Sequence, residues 1–275
     1  MLKSFNSDYY DILLLWNLKS IMSQKGIKIP IHWTRTLISD IVHHAKKVPL
    51  CTIEKDINIK AVLNAKVISE KRIGWTSVFI KAMGLASIEF NELRQFWIPL
   101  PYAHLYQHPV TIASVAINRI IDNKEAVVFG MVQKPEEKPL TEITESLHYF
   151  KDSPIDSVPL LNRMRRTSKF PWPIRALIWN YGLYLSGYCK AKNFGTFSVS
   201  SVSQLNANTL HLLTPLTSAL NYGPISNNGD CTIRLTFDHR VMDGLTVAKI
   251  LSFIEQSINL SIREEFENQD FTQVA

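Results

Sequence analysis

The segment Leu235-Thr-Phe-Asp-His-Arg-Val-Met-Asp-Gly244 gathers the residues best suited to chemistry: an imidazole at His239, a carboxylate at Asp243 and a glycine at Gly244. A neutral imidazole near pH 7 is a general base. Strand alternation places Ile233, Leu235, Phe237 and His239 on one face, opposite Arg234, Thr236 and Asp238. His239 then leaves the strand on its apolar side, where partial desolvation favours the neutral ring. Gly244 permits a tight turn, or the close approach of another backbone, at the head of the following helix. Taken alone, a lone buried histidine is more often structural than catalytic.

The elements that position this turn follow from periodicity and breakers. Leu37, Ile38, Ile41, Val42 and Ala45 recur at helical spacing over 34–45, and Pro49 ends that helix. Residues 51–59 alternate as a strand, and 77–90 read as a buried helix. Two β-rich runs, 111–117 and 126–132, flank Asp122-Asn123-Lys124-Glu125, which suits a hairpin. Residues 141–151 read as a helix, and 197–202 and 232–238 as strands, the second entered through the turn Asn227-Asn228-Gly229. Ala248, Leu251, Phe253 and Ile254 form the buried stripe of a last helix that runs to about Leu260. The stretch 170–188, with Trp172, Trp179, Tyr181, Tyr184 and Tyr188, reads as a core helix, a lid or an interfacial segment; such aromatic stripes usually pack inward.

With 275 residues, 46% of them hydrophobic and 20% charged, the chain can bury a large core, and a disordered chain is excluded. Cys51, Cys189 and Cys231 form no C-x-x-C pair, so neither a zinc site nor a disulfide framework is expected, and a reducing cytoplasm fits. No metal is expected: His43 and His44 point in different directions on a helix, and His32, His104, His108, His148 and His211 lack ligand spacing, so all read as helix-surface or loop residues. No export signal or membrane span is evident. The formal charge of +6 is local: residues 151–192 hold eight Lys/Arg against Asp152 and Asp156, the whole of the excess. Such a field attracts phosphate, an acidic protein or anionic lipid, or is simply a solvated basic face. No nucleic-acid motif accompanies it.

Residues 235–244 resemble the signature of the acyltransferase catalytic domains of 2-oxo acid dehydrogenase complexes. Chloramphenicol acetyltransferase and peptide-synthetase condensation domains share a related H-x-x-x-D-G motif, but there a second histidine usually precedes the catalytic one. Here that place holds Asp238, as in the dehydrogenase-complex branch. Three more segments are similar, in the family's order. Thr34-Arg-Thr-Leu-Ile-Ser-Asp-Ile-Val-His-His-Ala-Lys-Lys-Val-Pro49 is similar to its first helix, with Arg35 on an early arginine, and 75–90 to its long helix. Gly195-Thr-Phe-Ser-Val-Ser-Ser201 is similar to its glycine-started strand, whose serine stabilises the oxyanion; Ser200 is the better aligned match and Ser201 the alternative.

The resemblance implies an α/β (α+β) two-layer sandwich, a chloramphenicol acetyltransferase-like mixed β-sheet with helices on one side. It implies His239 as the base that deprotonates a thiol acceptor, Ser200 as oxyanion donor, and Asp243 holding the turn by pairing with Arg35. It implies no tightly bound cofactor and a site between subunits of a homotrimer or larger assembly of trimers, with base and serine from different chains. The chain then divides into an N-terminal extension, 1–30, read as a helix and connector, a catalytic domain, 31–262, with a basic aromatic insertion over about 152–192, and a C-terminal tail, 263–275. The extension leaves no room for lipoyl and subunit-binding domains, so a lipoyl arm delivered in cis is not expected. The insertion suits acyl-CoA, which carries phosphates, or an acidic acyl carrier protein, the sharper expectation, through Arg163, Arg165, Arg166 and Lys169. Peripheral contact with anionic lipid ranks below these. The acceptor is open among thiol, hydroxyl and amine. The competing reading is a non-catalytic oligomeric scaffold of the same fold; the intact His239, Asp243 and Ser200 weigh against it.

Overall fold

The computed structural model describes residues 26–68, 72–203 and 206–268. The chain divides into two units, Met1–His32 and Trp33–Ala275, and every residue of the motif belongs to the second. The helix expected within the first 30 residues lies outside the described residues.

The strands are β1 (Leu50–Asn58), β2 (Gln95–Ile98), β3 (His104–Gln107), β4 (Ile112–Ile121), β5 (Lys124–Gln133), β6 (Phe197–Ser200), β7 (Ser218–Tyr222) and β8 (Asp230–Asp238). Six form one mixed sheet in the order β1-β8-β7-β6-β4-β5, and β2 pairs with β3 in a separate hairpin. β6 is parallel to both its neighbours, β4 and β7, while the other pairs are antiparallel. The β4–β5 hairpin closes in two residues, Asp122 and Asn123, at φ 52° and 58°. This is the primed-turn geometry whose twist matches the strands, and it lets pairing run on to Ile121 and Lys124, past the ends read from sequence.

The helices are α1 (Trp33–Ala45), α2 (Lys60–Ile68), α3 (Trp75–Glu89), α4 (Leu140–Asp152), α5 (Pro159–Ser168), α6 (Trp172–Asn180), α7 (Gly187–Phe194), α8 (Gly244–Ser257) and α9 (Arg263–Asn268). In α3, Val78, Phe79, Ile80, Ala82, Met83 and Ala86 are all buried, the pattern of a central helix. It forms the main core with Ile233, Leu235 and Phe237 of β8 and Val247, Ile250, Leu251 and Ile254 of α8. β5 divides two environments. Ala126, Val128 and Val132 join that core, whereas Phe129 packs with Leu37 of α1 and Trp179 of α6.

Three expectations shift. Packing against α3 sets the phase of α8: Leu251 and Ile254 are buried as expected and Phe253 packs on the core, but Ala248 is exposed, and Val247 and Ile250 complete the buried stripe in its place. Residues 263–268, expected as the start of a tail, form α9, because Phe266 is buried in the main core. The 170–188 stretch is α6, a π turn over Tyr181–Leu185 and the start of α7; Trp179 and Leu183 turn inward while Leu177, Tyr181 and Tyr188 are exposed. Among the described residues no helix is long and apolar enough to cross a membrane.

Candidate active site

β8 ends at Asp238, and the chain turns back there: Val241 N and Met242 N donate to Asp238 O at 3.0 and 3.3 Å. The buried Asp238 carboxylate accepts from Arg240 N (3.0 Å), Nε (2.9 Å) and Nη2 (2.7 Å). His239 N donates to Pro49 O at 3.2 Å, which ties the turn to the start of β1. Asp243 is the N-cap of α8, yet its carboxylate does not cap the helix; Oδ1 lies 3.4 Å from His239 Nδ1. A carboxylate at that nitrogen favours the tautomer with the proton on Nδ1, leaving Nε2 as the acceptor. Gly244 opens α8, and a Cβ there would meet Ile53 Cδ1 at 3.3 Å, so what it approaches is a side chain rather than backbone.

The expected desolvation of His239 is not found within the chain. Its side chain is 52% exposed, and that of Asp243 83%. The strand stops one residue too soon to cover the ring, which projects past the sheet with its centroid 5.6 Å from that of Phe237. Water therefore screens the attraction between the two side chains.

The serines sit elsewhere. Gly195, at φ +91°, ends α7 and leads into β6, and a Cβ there would fall 2.9 Å from Ile112 O, so only glycine fits. Ser200 closes β6 half-buried, with its carbonyl accepting from Asn221 Nδ2 at 3.0 Å; its hydroxyl has no partner among the described residues. Ser201 Oγ is engaged, donating to Tyr222 O at 2.9 Å and accepting from Ser203 N at 3.2 Å. Ser200 borders an apolar cavity of about 300 Å³ walled by Leu37, Ile41, Phe129, Met131 and Trp179. On another side it meets a hollow lined by Arg35 and Ser201.

Register fixes the distance between the two halves. Ser200 pairs with Asn221 and Asn221 with Arg234, so His239 lies five residues further along β8 and two strands across. At strand dimensions that is ~17 Å along the sheet and ~10 Å across it. Arg35 sits with Ser200, at the end away from Asp243, so the expected Arg35–Asp243 pair does not form within the chain.

The basic insertion is not one surface. Arg165 pairs with Asp156, Arg175 pairs with Asp40 (Nε to Oδ2 2.8 Å), and Lys190 is buried. Arg163 borders the apolar cavity, and Arg163, Arg166 and Lys169 are exposed. Two histidines read as surface or loop residues are buried, His44 and His108. Successive helix positions diverge, and this sends His44 inward while His43 stays outside. The His44 ring stacks on Trp179 at 5.3 Å, its Nδ1 lies 2.9 Å from Tyr184 Oη, and burial lowers its pKa to about 4. Burial, helped by Arg94, also lowers the pKa of His108. Among the described residues no group of three or more His, Cys, Asp or Glu is placed to hold a metal ion. Sequence reasoning missed a further cavity, lined by Lys47, Trp97, Tyr184, Lys190 and Arg240; the one signal for it was Arg240 inside the motif.

No protein-family model matches the chain, and no curated protein matches it. Solved structures do. A probable dihydrolipoamide acetyltransferase from Listeria monocytogenes superposes with a TM-score of 0.61 at 17% identity, over 85% of this chain and 94% of that one. The cubic core of a pyruvate dehydrogenase multienzyme complex gives 0.63 at 12% identity, over 89% and 95%. The dihydrolipoamide acetyltransferase of Azotobacter vinelandii, studied for the roles of a serine, a histidine and an asparagine in its catalytic mechanism, gives 0.61 at 13% identity, over 88% and 94%. The chain thus has the fold of these acetyltransferase cores.

Proposed function

We propose that the chain is an acyltransferase that moves an acyl group from a thioester donor, acyl-CoA or acyl carrier protein, to a thiol, hydroxyl or amine acceptor. The observation that carries this reading is the His239–Asp243 pair, held at the head of α8 in a fold shared with dihydrolipoamide acetyltransferases. His239 Nε2 takes the acceptor's proton, and the acceptor atom attacks the thioester carbonyl carbon. The oxyanion of the tetrahedral intermediate takes a hydrogen bond from Ser200 Oγ, a contribution of about 3 kcal/mol when such a donor is preorganised. Collapse breaks the C–S bond, and the departing thiolate recovers the proton from His239. Ser201, engaged with Tyr222, is the weaker choice of donor.

The separation within one chain supports an assembly. Docking the Ser200 end of one chain against the His239 end of another would bring Ser200 to His239 and Arg35 to Asp243 at the same time. A homotrimer, or a larger assembly of trimers, repeats that contact cyclically. One of the similar structures is itself a cubic core. The apolar cavity beside Ser200 supports an apolar acyl or acceptor moiety of roughly ten heavy atoms, at about 30 Å³ for a water-sized group. Arg163, Arg166 and Lys169 are left to meet the donor, since Arg165 is held by Asp156.

The test is thiol release from a panel of acyl-CoA and acyl-carrier thioesters by the wild-type chain and by His239→Ala. A loss of about 100-fold or more is expected. Equal rates would overturn the catalytic assignment.

A further inference from the structure

A cavity of about 360 Å³ lies beside the turn that carries His239, and Lys47, Trp97, Tyr184, Lys190 and Arg240 line it. Lys190, on α7, is 5% exposed, with its ammonium 5.0 Å above the Phe96 ring. Among the described residues that ammonium has no hydrogen-bond or ion-pair partner. Burial lowers its pKa to about 8, with nearby Asp238 opposing the fall and Arg240 adding to it. No carboxylate lines the cavity among the described residues. Both oxygens of Asp238 are taken by Arg240. The Lys47 ammonium stands 5.4 Å over the Tyr184 ring, and His44, with its pKa of about 4, adds no charge at neutral pH. A buried cation with no direct ion-pair partner is costly even with the Asp238 charge nearby, and a bound anion would relieve that cost.

We propose that this cavity is an anion-binding site whose ligand is a phosphoryl group. Lys190 and Lys47 are point charges suited to a tetrahedral dianion, whereas the planar fork that would grip a carboxylate, on Arg240, is engaged with Asp238. The volume leaves room for a substituent beyond the phosphoryl group, and Trp97, Pro99, Leu100 and Tyr184 give it flat, apolar walls. The phosphoryl group comes from phosphopantetheine on a thioester donor or from free inorganic phosphate. The first source rests on the acyl-transfer reading; the anion site does not, and binding reports on it without turnover.

Calorimetric titration of the full chain with inorganic phosphate, phosphopantetheine and pantetheine, repeated on Lys190→Met, tests the site. Methionine keeps the volume of the stem and removes the unpaired charge, so the unfolding midpoint is not expected to fall. The wild-type chain should bind phosphopantetheine about tenfold more tightly than pantetheine, and Lys190→Met should lose that gap. Phosphate binding that depends on Lys190, with no such gap, keeps the site and assigns it to free phosphate. Labelling of wild-type Lys190 with an amine reagent gives a reading independent of the variant's folding, because bound phosphate should slow it. Titrations unchanged by Lys190→Met, or labelling that phosphate does not slow, would overturn the proposal.

Discussion

Asp238 grips Arg240 across His239: Oδ1 accepts from Arg240 N at 3.0 Å and Nε at 2.9 Å, and Oδ2 accepts from Nη2 at 2.7 Å. The clamp holds the residues on both sides of the imidazole. Asp243 meets the same ring from the head of α8. Since the carboxylate is buried and the pairing two-pronged, it orients the turn as well as stabilising it.

Asp238→Ala should therefore lower stability by about 1–3 kcal/mol, the range for losing hydrogen bonds to a charged group. It should also lower kcat, because His239 loses its fixed approach. Denaturant unfolding and steady-state rates measure the two effects. An unchanged unfolding midpoint would mean that the clamp is idle.

Mixed assemblies test the shared site. Ser200→Ala and His239→Ala should each lose about 100-fold or more in rate. The two residues lie at opposite ends of one chain's sheet, so co-expressed variants can still pair an intact Ser200 with an intact His239 from a neighbour. Part of the wild-type rate should return in the mixture. A mixture no more active than either variant alone would count against a site built from two chains.

Alternation in Ile233, Leu235 and Phe237 and the Asn227-Asn228-Gly229 turn make β8 legible in the sequence, and helical spacing does the same for α1 and α3. β7 is hidden there because Ser218–Tyr222 is a central strand buried on both faces, which erases alternation. The exposure of His239 is hidden for another reason. It depends on pairing that stops at Leu50 opposite Asp238, a tertiary fact with no local signal. The distance between Arg35 and Asp243 follows from a strand order that is not the chain order, and residue spacing carries no trace of it.

Gly195 offers a test of how β6 is held. Gly195→Ala places a Cβ 2.9 Å from Ile112 O on a backbone at φ +91°, where Thr196 N also donates to that oxygen at 2.7 Å. A cost of about 1–3 kcal/mol is expected, together with a lower rate because Ser200 closes the same strand. Gly74→Ala is the control: no atom lies within 4 Å of its Cβ position. That change should stay within about 0.5 kcal/mol. Similar losses for the two variants, measured by thermal or denaturant unfolding, would show that the left-handed backbone at Gly195 carries no special cost.

His44 should make the fold sensitive to acid. Its ordinary pKa of 6.5 falls to about 4 in the folded chain, first through burial and then through Lys47 and His43, with Asp40 opposing. Between those values the unfolded chain binds the extra proton, so stability falls as the pH drops below 6.5 and the loss is complete near pH 4. From pH 7 to pH 5 this one group should cost about 2 kcal/mol. His44→Phe keeps a flat ring against Trp179 and removes the titration. Denaturant curves at the two pH values should show the wild-type chain losing about 2 kcal/mol more than the variant. Equal losses would mean that His44 takes up its proton as readily folded as unfolded, and that its place between Trp179 and Tyr184 does not exclude the charge.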